Sequence, residues 1–428
     1  MKYDEAISYR NLLNALKKCT RGTLWKESTA GYWLNRLKNT YILHEELLNG
    51  KYRISKYLWF TITEPKEREI FASYIKDRQH QHAFIDNVVL PEMSKHFIAE
   101  NCACQKGKGT KYCIDMLLKA VRKYTRVNGN NGYVLKGDIK KFFPSTNHKI
   151  ACEEIALYVD TKTARACQDV INSFSEMPLT KSLMETGMDK QKAQTIGHSI
   201  SNRLIYGGDY SKSLKGLNEK QISILKDKIQ KNNFCGVGLG SQVTQTTQIA
   251  LLNRLDHFIV EQLKVSVYIR YMDDFIIISE SKEHLKNCLV HITEELRKLK
   301  LELNAKTQLF PITQGFKLLH WHIMVTTNGK VYIRKDKIKL NREQRKLRKQ
   351  KKLLNEGRIS IEQIENSYQC WQSCILQQKC YWQVIRMRRF YYYLFKRRAP
   401  EWNLKKRLWK KAEKERLTII TEAKKKMC

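Results

Sequence analysis

The chain has 428 residues, with 79 Lys and Arg against 42 Asp and Glu, a formal net charge of +37. A hydrophobic share of 42% supports packed cores and excludes a disordered or fibrous chain, and only 6 prolines exclude proline-rich linkers. The charge predicts a polyanionic partner, nucleic acid first and anionic lipid second, because no apolar run approaches the roughly 20 residues of a membrane span. MKYDEAISYRNLL is polar from its start, so a cytoplasmic protein is expected, with its 12 cysteines as reduced thiols.

Residues 1–50 carry leucines at helical intervals (Leu12, Leu13, Leu16, Leu34, Leu37, Leu47 and Leu48). An extended segment from Leu58 to Ile62 turns at Glu64-Pro65, and a helix follows from Asp77 to about Phe97. Lys106-Gly107-Lys108-Gly109 stands before another helix, and Gly132 opens a short apolar strand that ends at Asp138. Helices are expected over 148–171, loops with short helices over 172–235, and one helix over 242–264. Val265, Val267 and Ile269 alternate up to Tyr271-Met272-Asp273-Asp274, and an apolar strand restarts at Phe275, which reads as a β-hairpin with two carboxylates at its tip. A helix over 283–301 precedes a second hairpin over 316–335, with Asn328-Gly329 as its type I′ turn. Beyond Lys335, 27 Lys and Arg stand against 9 Asp and Glu, interleaved with aromatics from Phe390 through Trp402 to Trp409. That end reads as a basic, aromatic-rich helical module.

Asp138, Asp273 and Asp274 carry the chemistry. If their strands neighbour each other, three carboxylates converge at one sheet edge, an arrangement that is costly unless cations neutralise it. Two divalent ions, magnesium by the hardness of the oxygen ligands and manganese as the alternative, would neutralise it and support nucleotidyl transfer. A lone Asp-Asp in a hairpin is more often a polar turn. Apolar strands on both sides, in a basic chain, favour the metal site.

Tyr271-Met272-Asp273-Asp274 resembles the catalytic motif of reverse transcriptases, and Asp138-Ile139-Lys140-Lys141-Phe142-Phe143 resembles their first-aspartate motif. The resemblance implies an α+β right-hand polymerase fold of fingers, palm and thumb. It makes Asp138, Asp273 and Asp274 catalytic metal ligands, joined by the carbonyl of Ile139. It makes Phe143 the aromatic gate that excludes a ribose 2′-hydroxyl. Glu64-Pro65-Lys66 with Arg68, then Asp77-Arg78, resembles the fingers, where Lys66 and Arg68 would face the incoming triphosphate. Lys106 and Lys108 would lie near template or primer. Lys306 would sit near the triphosphate and donate a proton to pyrophosphate, although a solvated surface lysine is as good a reading. Phe316 through Trp321 is similar to the primer-gripping hairpin, with Leu318 and His320 toward the primer. His320 stands where that family usually has glycine.

GVGLGSQVTQ resembles the motif that supports the templating base, with Gly240, Thr244, Tyr271 and Met272 beside template or primer and Gln245 at the nascent pair. Thr244-Gln245 is similar to the Ser-Gln of reverse transcriptases from diversity-generating retroelements. Some bacterial antiphage-defence relatives share that ending, and a catalytically silent nucleic-acid-binding protein is a third reading. The expected partition is residues 1–131 as N-terminal helices and fingers, 132–335 as palm with some finger elements and an insertion in 172–235, and 336–428 as basic helical thumb. Implied partners are an RNA template or structured non-coding RNA, the RNA–DNA duplex, dNTPs and an accessory protein. A bacterial cytoplasm is the implied compartment, with no membrane. The cysteines at 370, 374 and 380 lack a nearby histidine and are expected to be thiols without a structural metal.

Overall fold

The structure is a computed structural model that describes residues 1–64 and 66–400; Pro65 of the fingers motif, and Trp402, Trp409 and the rest of the expected thumb beyond 400, lie outside the described residues. The chain divides into two compact units, Met1–Ile312 and Thr313–Cys428. That division groups the strands of 316–335 with the terminal helices, whereas the sequence expectation set its border after Lys335. Among the described residues no helix is long and apolar enough to cross a membrane.

In the first unit, helices α1 (Tyr3–Ala6), α2 (Tyr9–Cys19), α3 (Glu27–Leu34) and α4 (Arg36–Leu48) lead to an antiparallel pair, β1 (Leu58–Ile62) and β2 (Arg68–Ala72). Leu12, Leu16 and Leu43 enter the core, while Leu34, Leu37 and Leu48 remain exposed. Helix α5 (Ile75–Phe84) runs through a π-turn at Ile85–Val89 into α6 (Leu90–Met93), and α7 (Thr110–Asn128) precedes β3 (Tyr133–Asp138). After β3 come α8 (Phe142–Ser145), α9 (His148–Ala156) and α10 (Thr161–Ser173).

The region expected to be loops with short helices is chiefly helical: α11 (Glu176–Met184), α12 (Lys190–Tyr206) and α13 (Glu219–Lys231). Asp189 and Asn218 cap two of these helices, and Leu179, Leu183, Ile200 and Leu225 close a small core of their own. The glycines that read as loop signals serve the helices. At Gly197, inside α12, a Cβ would stand 2.5 Å from the Thr180 hydroxyl, so glycine permits close packing on α11.

The expected helix over 242–264 is likewise broken, into α14 (Gln242–Leu251), α15 (Asn253–His257) and a π-turn at Phe258–Gln262. Strands β4 (Val267–Tyr271) and β5 (Asp274–Ser279), helix α16 (Lys282–Lys298) and β6 (Gln308–Pro311) complete the unit. The sheet is antiparallel in the order β4-β5-β3-β6. Its central strand β5 buries Phe275, Ile276, Ile277 and Ile278, and the face carrying Leu135, Phe275 and Ile277 packs against Leu285, Ile292 and Leu296 of α16. Helices thus cover the sheet, and its carboxylate-bearing end is left for chemistry.

The second unit holds the antiparallel sheet β7 (Phe316–Leu318), β8 (Trp321–Val325) and β9 (Val331–Lys335), then α17 (Lys337–Asn355), α18 (Ile361–Leu376) and α19 (Tyr381–Phe395). Leu347, Ile364, Tyr368, Met387, Tyr391 and Phe395 form its helical core. The type I′ turn falls elsewhere than expected. Leu319 (φ 49°) and His320 (φ 66°) join β7 to β8 as a two-residue turn with both residues left-handed. At Asn328-Gly329 only the glycine has positive φ (72°), and Thr326 N–H donates to Lys330 O at 2.9 Å, giving a three-residue loop. Glycine is needed there at one position, and Asn328 does not share its conformation.

Candidate active site

β3 and β5 pair so that Asp138 stands directly opposite Asp274, and β4 pairs Tyr271 with Asp274 across the hairpin. Asp273 lies in the connecting turn, where its carbonyl accepts from Ile139 N–H at 3.3 Å. The sheet therefore brings Asp138, Asp273 and Asp274 together. Gly137 makes room for this edge, because a Cβ there would overlap the Phe275 ring at 2.0 Å.

Burial drives the Asp274 carboxyl up to about 6, and the charges of Asp273 and Asp138 add to the effect while Lys136 opposes it. Asp273 is likewise raised, first by burial and then by the charge of Asp138; Arg68 opposes the rise. As they stand the carboxylates are not a closed ligand set, and among the described residues no group of three or more His, Cys, Asp or Glu is arranged to hold a metal ion. Their chemistry nevertheless fits divalent cations. The donors are hard oxygens, half-buried and crowded with like charge, the condition a divalent cation relieves.

Two supports went unnoticed in the sequence. Asn304 donates through its side chain to Asp138 Oδ2 at 2.8 Å and through its backbone N–H to Asp138 O at 2.7 Å. The only sequence signal for it was its place two residues before Lys306. The second support lies behind the Met272-Asp273 turn. Arg270, wholly buried, donates through Nε to Asp256 Oδ1 at 2.6 Å and through Nη1 to the carbonyl of Met272 at 3.0 Å. Tyr268 Oη also donates to Asp256 Oδ1, at 2.6 Å. Burial works against the guanidinium charge, but Asp256 outweighs it and holds the Arg270 pKa above its usual value. Met272 adopts φ 58°, so the bond to its carbonyl holds a strained turn in place.

Phe142 and Phe143 follow the first aspartate with opposite fates. Phe142 is a core ring, whereas Phe143 is half-buried and meets Phe142 edge-on at 6.1 Å. Ile139 is buried, its N–H committed to Asp273. Lys66 and Arg68 are exposed on the β1–β2 hairpin, with Arg68 near enough for its charge to act on Asp273. Lys306 is exposed, and its N–H donates to Asn304 Oδ1 at 3.2 Å.

Gln245 is exposed on the first turns of α14 and lines a cavity of about 260 Å³ with Arg78, Gln81, His82, Gly240 and Gln242. Gly240 has φ 111°, which favours glycine there. Thr244, expected beside the template, is instead wholly buried, and its hydroxyl donates to Gly238 O at 2.9 Å. It shapes the loop from inside. Of the basic pair, Lys106 is exposed, but the Lys108 ammonium is held by the carbonyls of Asn101 at 2.8 Å and Ile98 at 3.0 Å. Lys108 therefore braces its own loop rather than presenting a free charge to phosphate. In the second unit, Leu318 is buried in the sheet, so its side chain is a core element, and His320 O accepts from Asp336 N–H at 3.0 Å.

Paired strands ending in opposed aspartates, with a second carboxylate in the adjoining turn, define the palm of a right-hand polymerase. Residues 72–323 match the family described as reverse transcriptase (RNA-dependent DNA polymerase). The chain belongs to that family and has an α+β right-hand fold. No curated protein matches. Solved structures similar to it include apo telomerase from Candida tropicalis (14% identity, 66% of this chain, 49% of that chain, TM-score 0.38). Another is telomerase from Candida albicans in complex with a fragment of telomeric RNA (11% identity, 67% of this chain, 46% of that chain, TM-score 0.37). The chain spans about half the length of those chains.

Proposed function

We propose that this enzyme copies RNA into DNA at Asp138, Asp273 and Asp274, and that it serves a diversity-generating retroelement in a bacterial cytoplasm. The observation that carries the catalytic assignment is the pairing of Asp138 with Asp274 across β3 and β5, beside Asp273 in its turn. Asp138, Asp273 and Asp274, with the Ile139 carbonyl, would hold magnesium or manganese, which when bound would neutralise the carboxylates, acidify the primer 3′-hydroxyl and balance charge on the leaving pyrophosphate. Asn304 holds the Asp138 carboxylate in one orientation. Arg68, and Lys66 on the same hairpin, meet the triphosphate, Arg as a fork and Lys as a point charge. Phe143 presses against the sugar, where a 2′-hydroxyl would clash. Gln245 and Gly240 face the nascent pair through the cavity they share with Arg78. Residues 1–131 act as fingers, 132–335 as palm and 336–428 as thumb.

The retroelement assignment rests on Thr244-Gln245, with Gln245 exposed in that cavity. Its partners are then a structured RNA template, the RNA–DNA duplex, dNTPs and an accessory protein. Primer extension with Mg²⁺ tests the site: Asp273→Ala and Asp274→Ala each abolish nucleotide addition while RNA binding survives, and substantial synthesis by either variant refutes the assignment. Mg²⁺ should also raise the melting temperature of the wild type but not of these variants, and a chelator should reverse that rise. Sequencing the cDNA made on the co-purifying RNA tests the subclass. Errors concentrated at template adenines support the retroelement, and accurate, repetitive or untemplated products transfer the enzyme to antiphage defence.

A further inference from the structure

Helix α19 has an unusual solvent face. Its inner side buries Val384, Met387, Tyr391 and Phe395. On the opposite side Trp382, Arg386, Arg389 and Tyr393 follow one another within an arc of roughly 60°, over about 16 Å of axis, with Tyr381 and Tyr392 along the flank. Trp382 is 82% exposed and Tyr393 69%. A solvated helix face is normally charged and polar. Here large rings are held in water beside arginines, and α19 contains no acidic residue.

Helix α17 of the same unit supplies an internal contrast. It exposes Arg345, Lys346, Arg348 and Lys349 and contains no aromatic residue. Such a surface suits phosphates, whether or not the bases are paired. Rings gain little from a duplex, whose bases are stacked on one another, but they gain from bases that stand free, because every base offers a π-face. Across residues 336–400, 17 Lys and Arg stand against 5 Asp and Glu, a balance that suits a polyanion.

We propose that the outward face of α19 is a stacking platform for unpaired nucleotides of an RNA, with Trp382 and Tyr393 taking bases and Arg386 and Arg389 taking the adjoining phosphates. The proposal rests on the reading of this chain as a polymerase that uses RNA. It adds that the enzyme holds a single-stranded part of its RNA away from base pairing, at a surface separate in kind from a phosphate grip.

Fluorescence anisotropy on the full chain tests it, with a labelled unpaired RNA and an RNA–DNA duplex of equal length, each across a salt series. Trp382→Ala with Tyr393→Ala should weaken the unpaired RNA by roughly tenfold or more, leave the duplex within about twofold, and leave the salt slope unchanged. Arg386→Gln with Arg389→Gln should lower the log–log salt slope for the unpaired RNA by about 1.4, near 0.7 for each phosphate contact. Trp382→Phe should retain most of the binding, which separates stacking from any loss of fold. Equal weakening of both ligands, or unaltered binding of unpaired RNA, overturns the platform. Loss of self-association with RNA binding intact also overturns it and assigns the face to protein. Primer extension by the wild type on a preformed template–primer checks the polymerase reading separately: its absence refutes that reading, whereas normal extension with unaltered RNA binding by the ring variants refutes only the platform.

Discussion

Arg270 and Asp256 form an ion pair inside the protein, with neither side chain reaching solvent, and the same guanidinium holds the carbonyl of Met272 in the turn beside Asp273. A buried pair contributes little net stability, but removing one partner leaves an uncompensated charge and costs about 3–5 kcal/mol. Arg270→Met or Asp256→Leu alone should therefore lower the melting temperature sharply, and the double replacement should recover much of the loss. Nucleotide addition should not recover with it, because Met272 at positive φ has lost its donor. Thermal melts beside single-turnover extension separate the two roles. If the double variant extends primers at the wild-type rate, Arg270 serves the fold alone.

Phe142 and Phe143 are adjacent in sequence and differ in what they lose on truncation. Phe142→Ala would empty a core position and cost about 3–5 kcal/mol. Phe143 is half-buried, so Phe143→Ala should cost less, and it should raise ribonucleotide incorporation by tenfold or more. Extension assays with matched dNTP and rNTP series measure this. Unchanged sugar discrimination would remove Phe143 from the gate.

The parts of this fold that were legible in sequence share one trait, which is that local pattern and tertiary demand agree. Alternation around Tyr271–Asp274 gave the hairpin, and the run ending at Asp138 gave the strand that pairs with it. The helices over 176–231 were missed because their glycines fall at ends and close contacts, where composition looks like loop. The turn at Leu319-His320 is hidden because Leu319 gives no sign of positive φ and Asn328-Gly329 offers the stronger turn signal. Thr244 and Lys108 are placed against nucleic acid by their motifs, yet carbonyls six to ten residues before them in their own loops turn both inward. Arg270 and Asn304 illustrate the same limit, since sequence spacing marks residues that face a substrate and not those that hold them from behind.

His148 introduces an acid-sensitive joint. Its Nε2–H donates to Gly236 O at 2.8 Å at the start of the loop that carries Gly240, and burial lowers its pKa to about 4. A histidine near 6.5 when unfolded and about 4 when folded binds fewer protons in the native state. Stability from this group is thus complete above about pH 6.5 and is lost as pH falls toward 4. The gap corresponds to roughly 3 kcal/mol at most. Denaturant melts from pH 7 to 4.5 should show the decline, and His148→Gln should flatten it. A slope unchanged by His148→Gln would assign the acid sensitivity to other groups.

His320 occupies a backbone conformation, φ 66°, that suits glycine better than any side chain. Histidine tolerates it more readily than most residues, but a Cβ in this region still carries a steric cost of about 1 kcal/mol. The position is fixed from both sides, because Leu318 pairs with Trp321 across the turn and His320 O accepts from Asp336 N–H. His320→Gly should therefore leave the turn in place and release its strain, stabilising the chain by up to about 1 kcal/mol, less whatever the more flexible unfolded chain takes back. His320→Val should do the reverse, since a β-branched side chain resists positive φ. If the turn holds the primer through its backbone, His320→Gly retains full primer affinity. If the imidazole itself makes the contact, affinity falls while stability rises. Thermal melts paired with primer-binding titrations read both quantities, and a glycine variant that melts lower than the wild type would show that the imidazole stabilises the turn by more than its strained backbone costs.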